Sequence, residues 1–107
     1  METLKVGDRI YQENYNRITK VYTVERITKT LAICDGGGRF KIEYSSPQWI
    51  NPVGDTGKWN SNSYLMETPE LIDKLYKQVA IQKIRNYDLS VLSSEQMRSI
   101  IKILNIH

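Results

Sequence analysis

Residues Ile18 to Tyr44 leave the chain little choice of structure. Two β-rich runs and a third with strict alternation are turned on Asp35-Gly36-Gly37-Gly38, which reads as a three-stranded antiparallel meander. Phe40, Ile42 and Tyr44 alternate with Arg39, Lys41 and Glu43, the period of a strand with one buried and one wet face. In the strand before it, Leu31 and Ile33 share one face and Thr30, Ala32 and Cys34 the other. Ile18 to Ile27 is rich in β-branched residues, but its parity breaks: Ile18, Tyr22 and Val24 fall on one side, Val21 and Ile27 on the other. A bulge or sharp bend near Val21 to Tyr22 would reconcile them, and closing a small barrel needs such bends. The glycines supply the positive φ angles of a reversal. Because a strand follows them and not a helix, they read as a turn and not as a phosphate-cradling loop.

The flanking segments extend this pattern. Val6-Gly7-Asp8 predicts a tight turn into a first strand at Arg9 to Gln12, Glu13 to Asn16 a polar turn, and Ser63 to Met66 a last short strand. Between Ser45 and Glu67 the periodicity is lost among Pro47, Pro52, Gly54, Gly57, Trp49 and Trp59, and an irregular stretch of this length marks a binding loop, a lid or an insertion. Trp49 is expected to cap an open barrel end, and Trp59, beside Lys58, to be more exposed. Thr68-Pro69-Glu70 is a helix start, with Leu71, Ile72, Leu75, Tyr76, Val79 and Ile84 as a core stripe. Ser93 and Gln96 form a capping box for a second helix, whose stripe is Met97, Ile100, Ile101 and Leu104. The fold class expected is α+β: a five-stranded antiparallel β-barrel followed by a C-terminal helical hairpin. The 107 residues are expected to form one domain, with the barrel at 1–66, its long loop at 45–63 and a two-helix extension at 68–107.

Composition narrows the chemistry. The only histidine, His107, ends the chain, so a histidine triad or a His/Cys zinc site finds no ligands, and no cofactor or catalytic residue is assigned. Cys34, the single cysteine, reads as a buried, inert thiol. No apolar run approaches the roughly 20 residues that span a bilayer, and without a secretory leader the expected location is the cytoplasm. The net charge of +3 leans toward anionic partners. Arg17, Lys20, Arg26, Lys29, Arg39 and Lys41 cluster within the meander against only Glu25 and Asp35. With Tyr15, Tyr22 and Tyr44 nearby, such a face offers phosphate contacts and stacking platforms to nucleic acid.

Val6-Gly7-Asp8, the short strand, the polar loop and the meander resemble the start of SH3-like barrel modules, the architecture of Tudor and KOW-type domains. Val24-Glu25-Arg26-Ile27-Thr28-Lys29-Thr30-Leu31-Ala32-Ile33, with Gly38-Arg39-Phe40-Lys41, is also similar to small proteins of tailed bacteriophages and their hosts. That resemblance names no activity, but it implies a phage or bacterial setting and, for a phage protein, the host cytoplasm. The function expected is a non-enzymatic binding module that takes nucleic acid on the basic barrel face. The alternative is an accessory or inhibitor protein that docks on a bacterial host protein through Trp49, Trp59 and Lys58 or the helical hairpin. A third partner is a second copy of the chain, paired along a strand edge or the apolar run Ile100 to Ile106.

Overall fold

A computed structural model describes residues 2–56 and 62–105, with the Asp55 side chain left aside. Seven strands, β1 (Glu2–Thr3), β2 (Arg9–Asn14), β3 (Arg17–Ile27), β4 (Leu31–Cys34), β5 (Arg39–Lys41), β6 (Glu43–Tyr44) and β7 (Ser63–Met66), precede two helices, α1 (Pro69–Arg85) and α2 (Ser94–Leu104). Five strands form one antiparallel sheet in the order β5-β4-β3-β2-β7, and β1 pairs with β6 in a separate two-stranded ribbon. The result is the expected α+β architecture, a curled five-strand half-barrel followed by two C-terminal helices. The chain divides into two compact units, Met1–Lys77 and Gln78–His107.

Two bulges, not one, set the curl. The β2–β3 register shifts between Gln12 and Glu13, leaving Thr19 as the extra residue, and the β3–β4 register shifts between Val24 and Arg26, leaving Glu25 extra. The first turns Ile18 to the outer face with Val21, while Tyr22 and Val24 point inward; the second returns Ile27 to the inner face. The parity break in β3 therefore has its origin on either side of Val21–Tyr22 and not at that pair. The strand expected from Phe40 to Tyr44 keeps its alternation but bends at Ile42, exchanging β4 for β1 as its partner.

Inside the curl lie Leu4, Ile10, Tyr22, Val24, Ala32, Cys34, Phe40, Tyr44, Ile50 and Tyr64. Phe40, with no exposed surface, meets Tyr22 edge-on at 5.3 Å and Tyr64 at 5.2 Å between ring centroids. Each such pair adds about 0.5–1.5 kcal/mol to the area it buries. The phenols reach polar partners at the rim: Tyr22 Oη donates to Gln12 Oε1 at 3.1 Å and Tyr64 Oη to the Thr56 carbonyl at 2.8 Å.

The irregular stretch after β6 closes this core. Ser46 O accepts from Trp49 N at 3.0 Å in a turn with Pro47 at its second position, where a fixed φ is favoured. The chain then runs between the two edges of the sheet. Met66 N donates to Pro47 O and Ile50 N to Tyr64 O on β7, while Lys41 N donates to Asn51 O and Val53 N to Arg39 O on β5. The turn directs Ile50 into the core and leaves Trp49 68% exposed, so Ile50 fills the place expected of Trp49.

A second, smaller cluster lies on the outer face, where Leu71 and Leu75 of α1 cover Tyr11, Ile18, Val21 and Leu65. Lys74 Nζ fastens the helix by donating to the Glu13 carboxylate and to Asn16 Oδ1 in the β2–β3 turn. The helix starts as expected, with Leu71 N donating to Thr68 Oγ1 at 3.2 Å. Only the Leu71–Leu75 ridge of its stripe is covered; Ile72 and Tyr76 remain exposed. In the second unit, α2 begins with the expected capping box, Gln96 N to Ser93 Oγ and Ser93 N to Gln96 Oε1. Among the described residues, none from 78 onward is buried, and Ile101, Ile103 and Leu104 are exposed. Of the stripe residues expected to be core there, Ile100 is half-buried and Val79, Ile84, Met97, Ile101 and Leu104 are exposed.

The three glycines of the meander turn divide their roles. Gly36 and Gly37 have φ of 70° and 85°, as a reversal requires, but Gly38 has an ordinary φ of −63°. A Cβ on Gly38 would sit 2.5 Å from Tyr22 Cδ1 and Cε1. Gly38→Ala should therefore cost about 1–3 kcal/mol by displacing the Tyr22 ring. Gly37→Ala, with open space around it, should cost only the about 1–2 kcal/mol of a left-handed backbone. Urea melts of the two variants test this. A change in near-ultraviolet tyrosine ellipticity is expected for Gly38→Ala alone.

Candidate nucleic-acid interface

Strand register sorts the cations of the meander. Arg26 pairs with Ile33 across β3–β4, and Ile33 with Arg39 across β4–β5, placing Arg26, Ile33 and Arg39 in one row on the outer face. One row away, Leu31 pairs with Lys41, again facing outward, because the Ala32–Phe40 pair between them points into the core. Lys29 lies in the Thr28–Leu31 turn at the end of this wall, a turn closed by Leu31 N donating to Thr28 Oγ1 at 3.0 Å. The outer surface thus has two halves. That of β2, β7 and the start of β3 is covered by α1, and that of β4, β5 and the end of β3 carries Arg26, Lys29, Arg39 and Lys41.

The other two expected cations lie elsewhere. Lys20, opposite Gln12, is on the inner side, with its Nζ 4.6 Å from the centroid of the Tyr22 ring. Arg17 starts β3 next to Tyr15 and Asn16, both at positive φ in a two-residue hairpin turn. Tyr15 is almost wholly exposed there. Trp59 and Lys58 lie outside the described residues.

The cations of the wall form no ion pair among the described residues. Among the described residues, Arg9 pairs with Glu67, Lys74 with Glu13 and Lys77 with Asp73, but none of the six meander cations joins a salt bridge. Asp35, one of the two acids expected to offset them, accepts from Thr23 N at 2.8 Å and joins no ion pair among the described residues. Arg39 extends over Gly54. A Cβ on Gly54 would stand 2.3 Å from one of its guanidinium nitrogens, so the side chain lies across a residue whose φ of 64° favours glycine.

Burial disfavours the charged forms of the phenols and the thiol in the barrel core. Burial raises the Tyr11 and Tyr44 phenols above their ordinary values, reinforced by Glu67 and Glu2 respectively. Burial pushes the Cys34 thiol up to about 11, with Asp35 and Glu25 adding to the shift. Among the described residues no cluster of His, Cys, Asp or Glu could hold a metal ion, and no helix is long and apolar enough to cross a membrane.

A curled antiparallel half-barrel with one outer half covered by a helix and the other left basic defines a small module of the barrel type. The chain belongs to the Phage ProQ C-terminal-like domain family, whose model matches residues 1–107. Membership suggests an RNA-binding, phage-associated module and not an enzyme. No curated protein and no solved structure matches the chain.

Sequence reasoning missed the contribution of Asn51, Val53 and Gly54 to this face, because they lie in the stretch without strand period. The alternating pairs of β4 and β5 did carry a signal, since they place Leu31, Ile33, Arg39 and Lys41 on one side. The Cys34 thiol provides a check on the core beneath. At pH 8 its thiolate fraction should be about a hundredfold lower in the folded protein than in the denatured chain. Alkylation by iodoacetamide should therefore be slow until denaturant is added. Rapid native-state labelling would contradict the burial of Cys34.

Proposed function

We propose that the protein binds RNA through the outer wall of β3, β4 and β5, with Arg26, Lys29, Arg39 and Lys41 contacting phosphates. The observation that carries this reading is the cross-strand row Arg26–Ile33–Arg39 with Lys41 beside it, free of ion pairs among the described residues. Membership of a ProQ C-terminal-like family supports RNA as the polyanion. Arginine suits the task, because its planar fork contacts phosphate oxygens in pairs and stays charged at any working pH. Arg17 and Lys20 stand apart from this wall and extend it only for a strand that wraps toward the β2–β3 turn. The setting is a phage-infected bacterial cytoplasm.

A second reading keeps one specific support. Trp49 is an exposed tryptophan on a segment anchored by its backbone, the kind of rigid aromatic that anchors protein interfaces, and it favours a bacterial host protein as partner. The two readings separate by salt. Four phosphate contacts to single-stranded RNA predict a slope of log affinity against log salt of about −3, and Arg26→Glu with Arg39→Glu should reduce it to about −1.5 or less. Trp49→Ala should leave that slope unchanged. Filter binding across a salt series measures it, and affinity that is absent or indifferent to salt would exclude the wall as an RNA site.

A further inference from the structure

An open groove of about 570 Å³ lies where the Thr28–Leu31 turn, the bend at Ile42 and the bridging segment meet. Lys29, Leu31, Lys41, Glu43, Asn51 and Val53 are among its lining residues. Its size falls within the about 300–1,000 Å³ of small-ligand sites. Leu31 and Val53 offer half-buried apolar surface, and Glu43 and Asn51 bring side-chain hydrogen-bonding groups. Lys29 and Lys41 are exposed, and neither forms an ion pair with a described residue. A free inorganic anion would use the lysines but not the apolar surface. An apolar side chain would use that surface but strip water from two unpaired ammonium groups, which is unfavourable. A nucleotide uses all of it: a flat base for the apolar surface, an edge of donors and acceptors, and a phosphate for the lysines.

We propose that this groove takes one unpaired nucleotide of a single-stranded RNA, its base against Leu31 and Val53 and its phosphate at Lys29 and Lys41. The inference rests on the RNA-binding reading, since the two lysines belong both to the groove and to the wall. It adds a preference for unpaired over duplex RNA, because a stacked and paired base cannot enter.

Two measurements test the proposal and keep it separable from the wall. In nitrogen-edited NMR spectra, millimolar adenosine or guanosine 5′-monophosphate should shift the amides of Leu31, Lys41, Asn51 and Val53, and inorganic phosphate at equal concentration should shift them far less. Asn51→Trp, or Ser45→Trp if the first disturbs the fold, fills the groove from an exposed position and should abolish these shifts. The same variants should lose about tenfold in affinity for a single-stranded oligoribonucleotide, the loss of one base's apolar burial, while a blunt RNA duplex binds as before. Equal shifts with inorganic phosphate, no shift with the nucleotides, or an equal loss for single strand and duplex would overturn the assignment. Because the monophosphate shifts should persist in the Arg26→Glu, Arg39→Glu protein, failure of the wall leaves the groove still readable. Failure of the groove leaves the salt slope intact.

Discussion

A curled sheet of five strands has two edges, and the barrel depends on what satisfies them. Here the edges are β5 and β7, and the chain that lies between them has no strand period of its own. It offers each edge two backbone hydrogen bonds, through Asn51 and Val53 to β5 and through Pro47 and Ile50 to β7. Unpaired backbone groups facing a core are costly, so these bonds matter more than their number suggests. They also hold Ile50 in contact with the cluster around Phe40, so that the aromatic packing and the edge closure support each other. Phe40 itself meets the segment through a bridge to Pro52.

Charge follows from the same geometry. The bulge at Glu25 resets the parity of β3, so that Arg26 emerges on the outer face beside Ile33 and Arg39 while Ile27 turns inward. Without that extra residue, strict alternation would carry Arg26 to the face that Val24 shares with the core. The helix covers the other outer half, where Tyr11, Ile18 and Leu65 need burial. Apolar and basic surfaces are thereby separated along one sheet. The backbone of Arg39 is fixed by its bonds to Val53 N and Thr56 Oγ1, and its guanidinium lies over Gly54.

Much of this was legible in the residues, for identifiable reasons. The alternation of Phe40, Ile42 and Tyr44 reflects a strand with one dry face, and the cap signals at Thr68 and Ser93 are local hydrogen-bonding patterns that tertiary packing does not alter. The positions of the bulges were not legible, because a break in parity shows that a residue is extra but not which one. Nor was the exchange of Trp49 for Ile50, since it is decided by a turn at Ser46 and by the distant Tyr64 carbonyl and Met66 amide on β7. The six cations were visible as a group, but their division into a wall of four and two outliers needed the strand register. The groove needed the bridging segment, whose backbone bonds leave no trace in the spacing of side chains. The helical stripes read as core because periodicity reports an apolar face and not whether anything covers it.

Closure by backbone groups has a consequence for variation. The carbonyls and amides that join the two edges are common to nearly all residue types, so Gln48, Trp49 and Asn51, whose side chains point outward, contribute little to holding the barrel shut. A chain can exchange them at small cost in stability while the walls on either side stay where they are. The segment then serves as a fixed mount with interchangeable fittings, and proteins sharing this barrel can diverge in what they recognise there without diverging in shape.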